Sequence, residues 1–255
     1  MAVDWIILTV ASASYFIGGF AKGALGFGLP MVAIPMLTAF GSLPLALSIA
    51  VPPAFATNLW QFWTFRAHRD IPFLHGFLFT AILGLVAGTF LLKAVENAYL
   101  EIALGLSVLI FLFRPNPQHA EMKAQRKTIL APVFGGLAGI VHGAIGLSGL
   151  VAPAFFLAAG LTRPSFIFAT SAMFIVMAVL HMPTLALAGL YEPSAFVIGL
   201  IVIVPAFAGV WIGSRLGDSL KASTFPILVK IMLTLAAILS IWGGLTVFLP
   251  GQAAV

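Results

Sequence analysis

The chain has 255 residues, 62% apolar and only 7% charged, with a formal net charge of +5 and no cysteine. So few charges cannot clothe a water-facing surface. Disulfides, thiolate metal sites and Fe–S clusters are excluded, and Lys and Arg placed singly at segment ends point to membrane interfaces, not to nucleic acid. The apolar runs far exceed the roughly ten residues of a barrel strand, and unpaired backbone in lipid is costly, so the expected fold is an all-α polytopic membrane protein.

In chain order, apolar runs bounded by charge, Pro and Gly lie near 5–21, 24–40, 43–65, 72–92 and 97–113, then near 128–142, 145–160, 164–190, 194–214 and 224–248. Asp4, with no Lys or Arg before Lys22, gives the start no signal-peptide basic region, so the first segment is expected to stay. The long polar stretch from Arg114 to Lys127 divides the chain into a first transmembrane repeat (1–113), a cytoplasmic linker (114–127) and a second repeat (128–255).

If the segments alternate, Arg66, Arg69, the linker, Arg163, Arg215 and Lys221 share one side, which the basic-residue rule makes cytoplasmic. Asp4, Glu96, Glu101 and Glu192 take the other, with Lys93 the exception. An odd number of crossings separates equivalent segments, so the repeats are expected to be inverted relative to each other. The first two segments of each half are short, roughly 15–17 residues or about 25 Å as helix, against about 30 Å of hydrocarbon. They read either as two thin spans, giving ten crossings, or as a re-entrant hairpin that brings Lys22 and His142 to the bilayer middle.

The duplication shows in the residues themselves. Lys22-Gly23-Ala24-Leu25-Gly26-Phe27-Gly28 returns at an offset of 120 as His142-Gly143-Ala144-Ile145-Gly146-Leu147-Ser148, and Pro44 matches Pro164 at the same offset. Glycine-interrupted apolar segments at corresponding places in two halves point to a transporter's binding site. The run Phe16-Ile17-Gly18-Gly19-Phe20-Ala21-Lys22-Gly23-Ala24-Leu25-Gly26-Phe27-Gly28 resembles the opening signature of the TauE/SafE sulfite exporter family, also called the 4-toluene sulfonate uptake permease family, and the stretch from His142 to Ser148 resembles its second copy. The resemblance implies transport of sulfite, organosulfonates and related small oxyanions across the bacterial cytoplasmic membrane, with no cofactor.

Several residues are candidates for contact with such an anion. Gly26, Gly28 and Gly146 let backbone N–H groups approach a ligand at a helix start, or else only permit close helix packing. Lys22 either neutralises an oxyanion or snorkels to the interface. His142, at the equivalent place, is a titratable donor or a packed histidine, and Ser148 adds a hydroxyl. Asn58 and Gln61 share one helix face, with Ala178 and His181 in register, and Thr170 and Ser171 stand opposite Ala50 and Val51. Each of these polar residues binds ligand or bonds a neighbouring helix. Arg163 and the Trp60–Phe65 aromatic run read as interfacial anchors.

All seven carboxylates fall at segment ends or in the linker, whereas a cation carrier needs acidic ligands within the membrane. An inside-negative potential expels a monovalent anion by about 2.3 kcal/mol per 100 mV. The expected function is therefore export of a small anion by alternating access. The rivals are a transition-metal carrier using His75, His142 and His181, and an intramembrane enzyme or assembly factor, which lacks a His-Glu-x-x-His helix or Gly-x-Ser-x-Gly elbow. The bilayer and the anion are the expected partners, nucleic acid is not, and self-association is left open.

Overall fold

A computed structural model describes residues 5–96, 98–99, 102–103, 105–106, 109–110, 124–146, 151–217, 231, 234–235, 238 and 241–245. Every regular element among them is helical: α1 (Trp5–Leu25), α2 (Leu29–Thr38), α3 (Leu43–Thr64), a 3-10 turn (Arg66–His68), α4 (Leu74–Ala94), α5 (Ala124–Ile145), α6 (Val151–Ala158), α7 (Arg163–Ala188), α8 (Pro193–Ile201) and α9 (Ile203–Gly217). Residues 111–123, the body of the expected linker, lie outside the described residues, and α5 begins at Ala124 rather than at 128. The expected segments near 97–113 and 224–248 fall largely outside the described residues as well.

Six stretches among the described residues are long and apolar enough to cross a bilayer: Trp5–Ala24, Leu43–Thr64, Leu74–Ala94, Ala124–Ile145, Arg163–Ala188 and Pro193–Leu216. The last includes both α8 and α9, which part at Val202. Pro205 explains the break, because it has no N–H to give the carbonyl of Ile201 four residues back. Large apolar side chains such as Phe79, Leu83 and Phe90 on α4 face outward, as lipid-exposed helices require.

The two short segments expected at the start of each half are corrected to one long helix and one very short one. α1 runs for 21 residues and α5 for 22, carrying Lys22 and His142 inside the helix. Both end just before the second glycine that follows, Gly26 or Gly146. Gly26 has φ +84° and Gly146 φ +74°, and their N–H groups donate to the carbonyls of Lys22 and His142 at 2.6 and 2.7 Å. Glycine enters this left-handed region without steric penalty, so the helices stop here and not at Gly23 or Gly143. α2 has 10 residues and α6 has 8, only about 15 and 12 Å of helix. α2, bounded by Gly28 and Ala39, cannot cross, so ten plain spans are not formed, and it is buried along nearly all its length.

Contacts match between the halves. α1 packs on α9 and α4 on α5, the two most extensive helix pairs, while α3 packs on α7. In the α4–α5 pair a Cβ at Gly139 or Gly143 would strike the carbonyl oxygen of Ala81 or Leu85; at the matching Gly19 and Gly23 it would strike that of Ala206 or Val210 on α9. Such small-residue seams let backbones touch, which is how membrane helices gain van der Waals contact without a hydrophobic driving force. α3 and α7 are the most enclosed, with 67% of each apolar window buried against 39–44% for the other four. They start alike: Ser42 and Thr162 stand at the N-caps with Pro44 and Pro164 just inside, and Ser42 Oγ accepts from the Leu45 N–H at 3.1 Å.

Candidate functional site

Two clusters form where the ends of α1 and α5 meet the central helices α3 and α7. In the first, Lys22 at the end of α1 is 2% exposed, and its Nζ donates to Asn58 Oδ1 of α3 at 2.5 Å. Asn58 Nδ2 in turn donates to the Ala54 carbonyl at 2.7 Å, which fixes the amide with its oxygen toward the lysine. One helical turn on, Gln61 Oε1 accepts from Ser171 Oγ of α7 at 3.3 Å. Gly26 completes the cluster, pressed so closely on Ile167 of α7 that a Cβ would meet its side chain.

The second cluster occupies the matching place. His142 near the end of α5 and His181 of α7 stand with ring centroids 5.1 Å apart, 8% and 2% exposed. Gly146 presses on Leu47 of α3, the register partner of Ile167. His181 hydrogen-bonds the backbone of Gly143, while its Nε2 is buried with no partner. A small cavity of about 20 Å³ lies here between the halves, walled by Pro30 and Ile34 of α2, Leu47, Ala50, Val51 and Ala54 of α3, and His142, Phe174 and His181. That is room for about one water molecule.

Phe174 is close to both clusters. The Lys22 Nζ lies 5.9 Å from the centroid of its ring and the His142 ring 6.0 Å from it on centroids. The first half has only Ala54 at the register position of Phe174, so the phenyl ring is a feature of one half alone.

The structure thus brings Lys22, Asn58, Gln61, Ser171 and Gly26 together, and places His142 and Gly146 in the second cluster, with Phe174 near both. Thr170 is buried on the same helix, but its hydroxyl is spent on the carbonyls of Phe166 and Ile167 at 2.8 and 3.0 Å. Gly28, at φ +114°, is the N-cap of α2 and no side chain caps that helix. Ser148 lies outside the described residues. Arg163 is exposed at the start of α7, and His75 is exposed on α4, apart from the histidine pair. Among the described residues no three His, Asp or Glu side chains converge as metal ligands.

Sequence reasoning missed Phe174 as a site residue and left His181 to the metal alternative. The offset of 120 was the available signal for His181, since it pairs this residue with Gln61 just as it pairs His142 with Lys22. For Phe174 there was none, because one phenylalanine among 23 in an apolar chain carries no mark.

Membrane-length helices around a buried polar cluster define a polytopic membrane protein of the transporter class. The chain belongs to the family described as sulfite exporter TauE/SafE, whose model matches residues 11–240. No curated protein and no solved structure matches it.

Proposed function

We propose that this protein exports small sulfur oxyanions, sulfite or organosulfonates such as sulfoacetate, across the bacterial cytoplasmic membrane from a site between its halves. The observation that carries this reading is Lys22. An ammonium removed from water costs several kcal/mol unless its charge is compensated, and no carboxylate approaches Lys22 among the described residues: Asp70, Glu96 and Glu192 lie in connections. One amide oxygen and an aromatic face do not neutralise it. A sulfonate does, and its oxygens suit the donors at hand, the Lys22 ammonium and the Gln61 amide N–H groups, the latter oriented by the Ser171 hydroxyl that donates to Gln61 Oε1. Entry of the anion gives the Lys22 ammonium a charged acceptor in place of the neutral Asn58 oxygen.

A space for one water does not admit a sulfonate, so transport requires the clusters to open. The glycine seams favour a particular division of moving parts. Each seam joins a helix of one half to a helix of the other, α1 with α9 and α4 with α5. Separating residues 1–113 from 128–255 would tear both seams. Movement of α1, α2 and α9 against α4, α5 and α6, on either side of α3 and α7, leaves both intact and opens the Lys22 and His142 ends in turn. With the halves inverted in the bilayer, this is alternating access around a central site.

Binding to purified protein tests the reading, comparing sulfite, sulfoacetate, taurine, sulfate and divalent metal ions. Saturable binding of sulfite or a sulfonate that weakens in Lys22→Ala is the expected result. Binding of a metal ion with no oxyanion bound refutes it.

A further inference from the structure

The anion reading leaves the histidine pair without a task. It uses Lys22 and its neighbours for charge, and the cavity against His181 is too small for any oxyanion. Yet His181 lines the cavity and holds a buried nitrogen, Nε2, with no partner. With the other ring nitrogen bonded to the Gly143 backbone, Nε2 carries either a bare lone pair or an unused N–H. A backbone carbonyl accepting from Nδ1–H leaves the lone pair at Nε2, and an unpartnered lone pair beside a space that fits one water is a place for a proton.

We propose that His181, supported by His142, binds a proton that is loaded and released together with the anion, so that the proton is the coupled ion of transport. The inference rests on the anion reading above. The step is simple: a proton from water on the inside adds to His181 Nε2, and the same proton leaves to water outside with the anion, so that a monovalent anion and its proton move without net charge, driven by the anion's own gradient and not by the membrane potential.

The surroundings explain why anion and proton are linked. From α1 the charged group nearest the pair is Lys22, which like His142 lies about 6 Å from the Phe174 ring; α3 supplies the neutral Asn58 bonded to that lysine. From α4 come Thr89 and, through it, Thr184 of α7, with oxygens 3.4 Å apart. α2 and the rest of the α3 lining are apolar, α6 has no titratable residue, and His75, Lys93, Arg126 and Lys127 of α4 and α5 are not buried. With the site empty, the cation at Lys22 opposes a second positive charge on the histidines in a medium of low dielectric. An anion between them reverses the sign of that interaction. Anion binding then favours proton binding and, by linkage, the proton favours the anion to the same degree.

The experiment uses the full protein in liposomes, with anion flux and internal pH recorded together for sulfite, methanesulfonate and sulfoacetate. His181→Gln is the reference, since it places at 181 the amide that the first half has at 61, and comparison with it cancels protons carried by sulfite itself. The wild type is expected to move about one more proton per anion than the variant, at whatever anion rate the variant retains. Should the variant fail to fold, Lys22→Arg, whose guanidinium stays charged, removes titration of residue 22 from the test: its apparent affinity for methanesulfonate, whose own charge is constant near neutrality, is expected to tighten about tenfold per unit of acidification where the histidines are neutral. Anion flux with the same proton count in both proteins, or an affinity flat with pH, overturns the proton site while leaving the exporter reading standing. Absence of flux for all three anions in the wild type defeats the exporter reading and the proton site with it.

Discussion

The two clusters have the same backbone and different chemistry. Each is built from a helix ended by a positive-φ glycine, Gly26 or Gly146, pressed on the opposite half's central helix at Ile167 or Leu47. On that common frame one cluster carries a lysine held by an amide, Lys22 on Asn58, and the other two histidine rings, His142 and His181. The features that packing needs agree between the halves, and the polar side chains differ. On the reading proposed above, an anion meets an ammonium at one cluster and imidazoles at the other.

The comparison breaks outright if the halves do not face opposite ways. With no native cysteine, single cysteines at Arg69 and Tyr191, which follow α3 and its counterpart α7, should be labelled from opposite faces by a membrane-impermeant maleimide, position 69 from the cytoplasm. Labelling of both from one face ends the inverted arrangement.

The next largest effect concerns the seams. Gly139→Ala drives a methyl into the Ala81 carbonyl, whereas at the neighbouring Gly136 a Cβ meets only Thr80 at ordinary distance, 3.9–4.0 Å. Overpacking of this kind costs about 1–3 kcal/mol, so Gly139→Ala should lose detergent-extractable folded protein and Gly136→Ala should not, as size-exclusion profiles will show. The same geometry allows a harder test. A Cβ at 136 lies 4.0 Å from that of Thr80, within the span of a disulfide. Thr80→Cys with Gly136→Cys should cross-link α4 to α5, the first half to the second, with transport retained. Loss of transport on oxidation and its return on reduction would show instead that the halves themselves move apart.

Smaller effects sharpen the contrast between the clusters. A charge-assisted hydrogen bond is worth about 1.5–3 kcal/mol, so Lys22→Ala should weaken oxyanion binding roughly ten- to a hundredfold, measured by calorimetry on protein that still folds. Lys22→Arg should recover part of this, since the charge returns on a planar fork that fits the glycine-lined space poorly. Asn58→Ala removes a neutral dipole and should cost about two- to tenfold. Wild-type affinity in Lys22→Ala would assign the site to neutral donors.

What the sequence determined by itself was everything that depends on local pattern. Long apolar runs specify helices in lipid, because no other open structure satisfies its backbone there, and the glycine signature specifies where α1 and α5 end, because few residues other than glycine accept the conformations of Gly26 and Gly146. The offset of 120 made Lys22 and His142 equivalent before any fold was known. It did not give the helix lengths, since Gly23 and Gly143 look like breaks and serve instead as contact points on α9 and α4. Nor did it give the company each residue keeps. That Lys22 meets Asn58, that His142 meets His181, that Phe174 is near both and that Thr170 turns to its own helix depend on how α3 and α7 are rotated against the helix ends. Only tertiary packing sets that rotation, because a helix apolar on every side has no face that its own sequence marks as inward.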